Sequence, residues 1–155
     1  MQLKAETNDN LITVYNANEE IFGELKIELK ARYYESEIRI KEQIFTILQD
    51  KWEAKVISDN QTVYHIKTDK FWGTQKIVEL DKEIRGVFGF TWGTQLRDSH
   101  KQTLLKIRTE SQIKNKGNYI IQVDKENIQP IEILLTLYVH ITGSIANQHH
   151  VFLYS

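Results

Sequence analysis

The sequence contains no cysteine and one proline, Pro130. The first absence excludes disulfides, cysteine-ligated zinc, thiol nucleophiles and palmitoylation. The second, with only 7 glycines in 155 residues, leaves the turns to asparagine, aspartate and the few glycines present. Neither charge sign is in excess: 20 basic residues face 21 acidic ones, for a net charge of −1. Such a chain has no general electrostatic bias toward nucleic acid or anionic membrane, and nucleic acid is not expected as a partner. The opening MQLKAETNDNL has no apolar run behind a basic segment, so a secretory signal is not expected and a cytoplasmic location is the default. No phosphate loop, nucleophile elbow, dinucleotide fingerprint or zinc-protease motif occurs. Enzymatic activity, a cofactor and a metal site are therefore not expected.

What is present is mostly alternation. From residue 11 to residue 124 apolar and polar side chains follow one another with period two, as in Leu105-Lys106-Ile107-Arg108. That is the pattern of a strand with one wet face. Further strand-like runs are LITVYN (11–16), EIFGELKIEL (20–29), QIFTILQ (43–49), WEAKVIS (52–58), TVYHIKT (62–68), KIVEL (76–80), IRGVFGFTW (84–92) and NYIIQVD (118–124). Turn-prone clusters such as Asp59-Asn60 and Lys116-Gly117-Asn118 separate them. Many short strands at this spacing predict an antiparallel meander closing into a barrel or sandwich, and no linker divides the chain. A single domain over 1–155 is expected. VYNANEEIFGELKI (14–27) also aligns without gaps on IVELDKEIRGVFGF (77–90), and Trp-Gly-Thr-Gln occurs at both 72–75 and 92–95. Duplication and the reuse of hairpin turn chemistry explain these echoes equally well.

The segment QPIEILLTLYVHITGSIAN (129–147) breaks the period. Pro130 suits a first helical position, and the wheel gathers Glu132, Thr136, His140, Gly143 and Asn147 into an arc of about 80°. A helix over about 130–146 is predicted, apolar around most of its circumference, with a short tail after it. A bilayer crossing would place Glu132 and His140 in or near hydrocarbon, where an acid costs about 2.5–3.5 kcal/mol. A surface position would expose a large apolar area at ~25 cal/mol per Å². Burial inside the protein's own sheet is cheaper, and no transmembrane segment is expected.

Strands over 11–124 followed by ILLTLYVHI, with the strand–DKEIRG–strand units and the Trp-Gly motifs, resemble the tubby-like barrel superfamily: tubby domains, phospholipid scramblases and LURP-one-related proteins. The resemblance implies a mainly β (α+β) fold, a closed antiparallel barrel of about twelve strands enclosing a hydrophobic C-terminal helix. The tail HHVFLYS departs from that pattern, as does the absence of the scramblases' cysteine-rich and calcium-binding segments. The implied function is a non-enzymatic binding module for anionic phospholipid, a membrane surface or a protein, peripheral to a membrane.

Two clusters are candidate sites. Residues 97–116 hold six cations (Arg97, Lys101, Lys106, Arg108, Lys114, Lys116) against Asp98 and Glu110. Lys101, Lys106, Arg108, Lys114 and Lys116 are candidates for gripping an anionic headgroup, each contributing about 1 kcal/mol near an anionic surface. The alternative is an ordinary solvated strand face. The stripe Glu132–Thr136–His140 could line a small-ligand cavity inside the barrel, or be satisfied by the surrounding protein. Trp52, Trp72, Trp92, Tyr33, Tyr34 and Phe71 are expected in the core. His149 and His150 lack nearby carboxylates that would complete a metal site.

Overall fold

A computed structural model describes residues 1–29, 34–71, 73–87, 93–109 and 118–154, with side chains at all of these but 29, 34, 87 and 144–154. The strands are β1 (Gln2–Asn8), β2 (Leu11–Tyr15), β3 (Ile21–Leu29), β4 (Tyr34–Ile40), β5 (Gln43–Gln49), β6 (Glu53–Ser58), β7 (Gln61–Thr68), β8 (Gln75–Ile77), β9 (Lys82–Val87), β10 (Gly93–Arg97), β11 (Thr103–Thr109) and β12 (Tyr119–Val123). A 3-10 turn, Val78–Leu80, follows β8, and the helix α1 spans Pro130–Tyr154. Each strand pairs antiparallel with its sequence neighbours. The ring closes where β1 meets β12, from Gln2 opposite Gln122 to Ala5 opposite Tyr119. A closed barrel has no free edge to be capped.

Period two decides which side chains face in. Leu25 and Ile27 on β3, Ile38 on β4, Ile47 on β5, Leu105 and Ile107 on β11 and Ile121 on β12 are all buried. Against them lies α1, whose residues 131–139 are buried on every side, Glu132 and Thr136 included. The helix is thus the filling of the barrel, as its narrow polar stripe implied. Gly23 lets it approach: a Cβ there would stand 3.2 Å from Leu134 Cδ2. Gly93 does the same between strands, where a Cβ would come within 2.2 Å of the Ile107 carbonyl oxygen at a backbone φ of +131°. Tight turns use the left-handed region without glycine, at Asp9, Lys41, Asp59, Asn60, Asp81 and Lys101. Asp and Asn accept that conformation readily; the lysines do so at a cost.

Several elements differ from the sequence expectation. β1 lies ahead of the first expected strand, KIVEL turns into the 3-10 turn after Ile77, and GTQLR forms β10. α1 runs on to Tyr154 where a tail was expected, there being no proline or further glycine after Gly143 to stop it. Its 25 residues span about 37 Å, against about 23 Å for a seven-residue strand. The aromatic residues also depart from expectation: Trp52 is 40% and Phe71 85% exposed, because both sit in turns beyond the strand ends while aliphatic side chains and α1 fill the interior. Trp72, Trp92 and Tyr33 lie outside the described residues, as do the side chains of Tyr34, His149 and His150.

Candidate functional site

The polar stripe of α1 begins at its first turn. Gln129 precedes Pro130, and its backbone N–H donates to Glu132 Oε2 at 2.7 Å, the reach-back half of a capping box. The other carboxylate oxygen accepts from Lys82 Nζ. Lys82 points inward because it shares the face of Ile84 on β9, and its side chain is only 20% exposed beside a Glu132 that is 2% exposed. One turn on, Thr136 Oγ1 donates to the Glu132 carbonyl at 2.7 Å. Tyr138 extends the polar contacts to β5, its hydroxyl donating to Gln49 Oε1 at 2.8 Å.

His140 lies farther along, between β10, β11 and β12. Its Nδ1 is 2.7 Å from Thr94 Oγ1 and its Nε2 3.2 Å from Thr109 Oγ1. The Tyr119 ring meets it edge-on at 5.5 Å. Burial lowers the His140 pKa to about 4, so the ring is neutral at pH 7, one nitrogen donating and the other accepting. Burial also raises the Tyr119 pKa, against a hydrogen bond with Thr7 that works to lower it. Glu132 and His140 are eight positions apart, about 12 Å along the helix. Each is engaged by its own neighbours, and no contact joins them into an acid–base pair.

At the end of the barrel where α1 begins, an open cleft of about 430 Å³ lies between the β4–β5 and β6–β7 turns and the helix. Its walls include Ile40, Phe45, Ser58, Tyr64, Gln129 and Ile131, but not Glu132, Thr136 or His140. The Tyr64 pKa is raised by burial, with the charges of Glu132 and Glu79 adding to the effect. On the outer surface nearby, Glu79 accepts from the His65 backbone N–H at 2.6 Å and faces His65 Nδ1 at 2.6 Å. Burial works to raise the Glu79 pKa, but these two hydrogen bonds, its own backbone N–H and the charge of His65 together outweigh it and leave the pKa below the ordinary value.

The basic cluster divides. Lys106 and Arg108 are exposed on the outer face of β11. The register sets Lys106 opposite Gln95, which pairs with Arg85, and Arg108 opposite Ile120, which pairs with Lys4. Lys4, Arg85, Lys106 and Arg108 therefore share the outer face across β9, β10, β11, β12 and β1, which also carries Glu83 and Glu6, the latter 3.6 Å from Lys4. Lys101 sits apart, in the turn before β11, where its carbonyl accepts from Arg97 Nε and Nη2 at 3.3 and 3.2 Å. Lys114 and Lys116 lie outside the described residues. On β3 and β4 the outer face carries Glu24, Glu28, Glu35 and Glu37 with Lys26 and Arg39. The barrel wall is thus polarised in charge although the chain as a whole is nearly neutral. Sequence reasoning named Lys106 and Arg108 but not Lys4 and Arg85, which only the strand register brings onto the same wall.

Among the described residues, no group of three or more histidine, cysteine or carboxylate side chains is placed to hold a metal, and no helix is long and apolar enough to cross a membrane. No family model matches the chain, and no curated protein matches it. Among solved structures it is similar to a protein of Arabidopsis thaliana, with a TM-score of 0.60 over 91% of this chain and 90% of that one, at 8% identity. At that identity the likeness concerns the fold alone.

Proposed function

We propose that this chain is a non-enzymatic binding module, akin to the tubby-like barrels, that attaches peripherally to anionic phospholipid. The observation that carries this reading is the outer basic face of Lys4, Arg85, Lys106 and Arg108. Lys106 and Arg108 point out together from β11, with Lys4 and Arg85 to either side around the curve of the wall; cations near an anionic surface contribute about 1 kcal/mol each, with strong salt dependence. The interior supports the same reading, since α1 fills it and the polar stripe is engaged with its own neighbours. Vesicle sedimentation tests it. Phosphatidylserine-containing vesicles should retain the protein at low salt and release much of it at high salt, and Lys106→Glu/Arg108→Glu should bind at least tenfold less. Retention of the double variant equal to the parent's would remove the basic face from the account.

The cleft of about 430 Å³ favours a second reading, a small-molecule site at the mouth of the barrel. It is displaced from the expected stripe to the residues before and at the helix start. Gentle native mass spectrometry of the purified protein should then show a co-purifying mass that is lost in Val63→Trp, which fills the cleft. A bare protein mass would argue against it.

A further inference from the structure

At the end of the barrel opposite the helix start, the β5–β6 and β7–β8 turns stand side by side, joined by the Thr68 N–H donating to the Trp52 carbonyl at 2.9 Å. They present Trp52, 40% exposed, and Phe71, 85% exposed, the most exposed of the large apolar side chains described. Lys51 Nζ and Lys70 Nζ lie 5.5 and 5.3 Å from the centre of the Trp52 ring. We propose that this end is a bilayer-insertion tip, in which Trp52 and Phe71 enter the boundary between headgroups and acyl chains while Lys51 and Lys70 hold anionic headgroups.

Three observations converge on that occupant. Exposed rings in water are unfavourable, and an aromatic with cations held over its ring matches the headgroup level of a membrane, where amphipathic rings concentrate. The tip is also held in shape before any partner arrives. Asp69 Oδ1 accepts from the Phe71 N–H at 2.8 Å, the Asp69 carbonyl accepts from the Gly73 N–H at 2.9 Å, and Asp50 Oδ1 accepts from the Lys51 N–H at 2.7 Å. Little ordering is left to be done on contact. Finally, charge orients the molecule. The strand–strand turns at the opposite end carry Glu19, Glu20, Glu42, Asp59, Glu79, Asp81 and Asp98 against Lys41 and Lys101, whereas at the aromatic tip Asp50 and Asp69 are balanced by Lys51 and Lys70. An anionic surface repels that end and leaves the aromatic end to face it.

The inference rests on the proposed lipid reading in one respect, that the partner is a bilayer. It is a separate contact, on the side of the barrel across from Lys106 and Arg108, whose energy is apolar and hence resistant to salt. The experiment is vesicle sedimentation with phosphatidylcholine alone and with phosphatidylserine added, at low and high salt. It compares the parent, Trp52→Ser/Phe71→Ser and Lys106→Glu/Arg108→Glu, with thermal melts confirming that each is folded. The tip variant should lose the salt-resistant part of binding, on the order of tenfold or more in affinity. Brominated acyl chains should quench tryptophan emission in the parent, and measurably less in the Trp52→Phe variant, which keeps Trp72 and Trp92. Undiminished salt-resistant binding of the tip variant, or quenching unchanged by Trp52→Phe, overturns the tip. If only the basic-face variant then fails to bind, the lipid reading stands without it. If only the tip variant fails, the tip stands and the basic face goes. A parent that binds neither vesicle at either salt overturns both.

Discussion

Lowering the pH should destabilise this protein through His140, and by an amount that the site sets. The imidazole is buried between Thr94, Thr109 and Tyr119, with a folded pKa of about 4 against about 6.5 in an unfolded chain. Below about pH 6.5 the unfolded chain takes up a proton that the native ring refuses. Stability from this group is therefore complete above about pH 6.5, falls as the pH drops toward 4, and falls no further below that. The full difference is about 3 kcal/mol, of which roughly 2 kcal/mol is already lost at pH 5. Urea unfolding at pH 7.5 and pH 5 measures it, in the parent and in His140→Gln, whose side chain does not titrate. The variant should be less stable at pH 7.5, because the fit to the two threonines is disturbed, yet its drop between the two pH values should be smaller by about 2 kcal/mol. Carboxylates such as Glu79, whose pKa is lowered, add to acid sensitivity at lower pH and do so in both proteins. Equal pH dependence of the parent and the variant would refute the assignment of the effect to a buried, neutral His140.

Other substitutions probe the interior and the wall. Lys82→Met leaves Glu132 buried without its cation and should destabilise by about 3–5 kcal/mol, read as a lower urea midpoint. Adding Glu132→Gln to it should recover part of that loss; no recovery would mean that the charge was never the problem. Gly93→Ala drives a methyl group against the Ile107 carbonyl at a φ that alanine avoids, and should cost several kcal/mol or prevent soluble expression. Gly23→Ala, whose methyl would stand 3.2 Å from the movable end of Leu134 and 3.4 Å from the Arg39 carbonyl oxygen, should be milder, and thermal melts should rank the two in that order.

How much of this was legible beforehand varied with the kind of signal. The helix was, because a narrow polar stripe on an otherwise apolar tract has few cheap solutions, and Glu132, Thr136 and His140 are indeed enclosed. The barrel's closure was less so. β1 offers Leu3, Ala5 and the half-buried Thr7 to the interior, and alanine and threonine are faint marks of inward positions. β10 has Thr94 and Leu96 as its inward pair, equally weak. Exposed aromatics ran against expectation, because burial of Trp and Phe was inferred from residue type without regard to their place in turns. The Lys82–Glu132 pair joins residues 50 apart, which no local pattern reports. One cue was available: Lys82 falls in phase with the inward Ile84, an unusual position for a lysine unless an acid awaits it. Lys4 and Arg85 could not be grouped with Lys106 and Arg108 until strand order and register were known.

Amide hydrogen exchange tests the enclosed helix most directly. If α1 is the barrel's filling, amides of residues 131–141 can exchange only when the ring opens. They should then show the same opening free energy as inward strand residues such as Ile38, Ile47 and Ile121, and it should equal the global unfolding value. Faster exchange throughout 131–141, with the strands still protected, would mean that the helix leaves while the barrel stays shut, and would contradict the account.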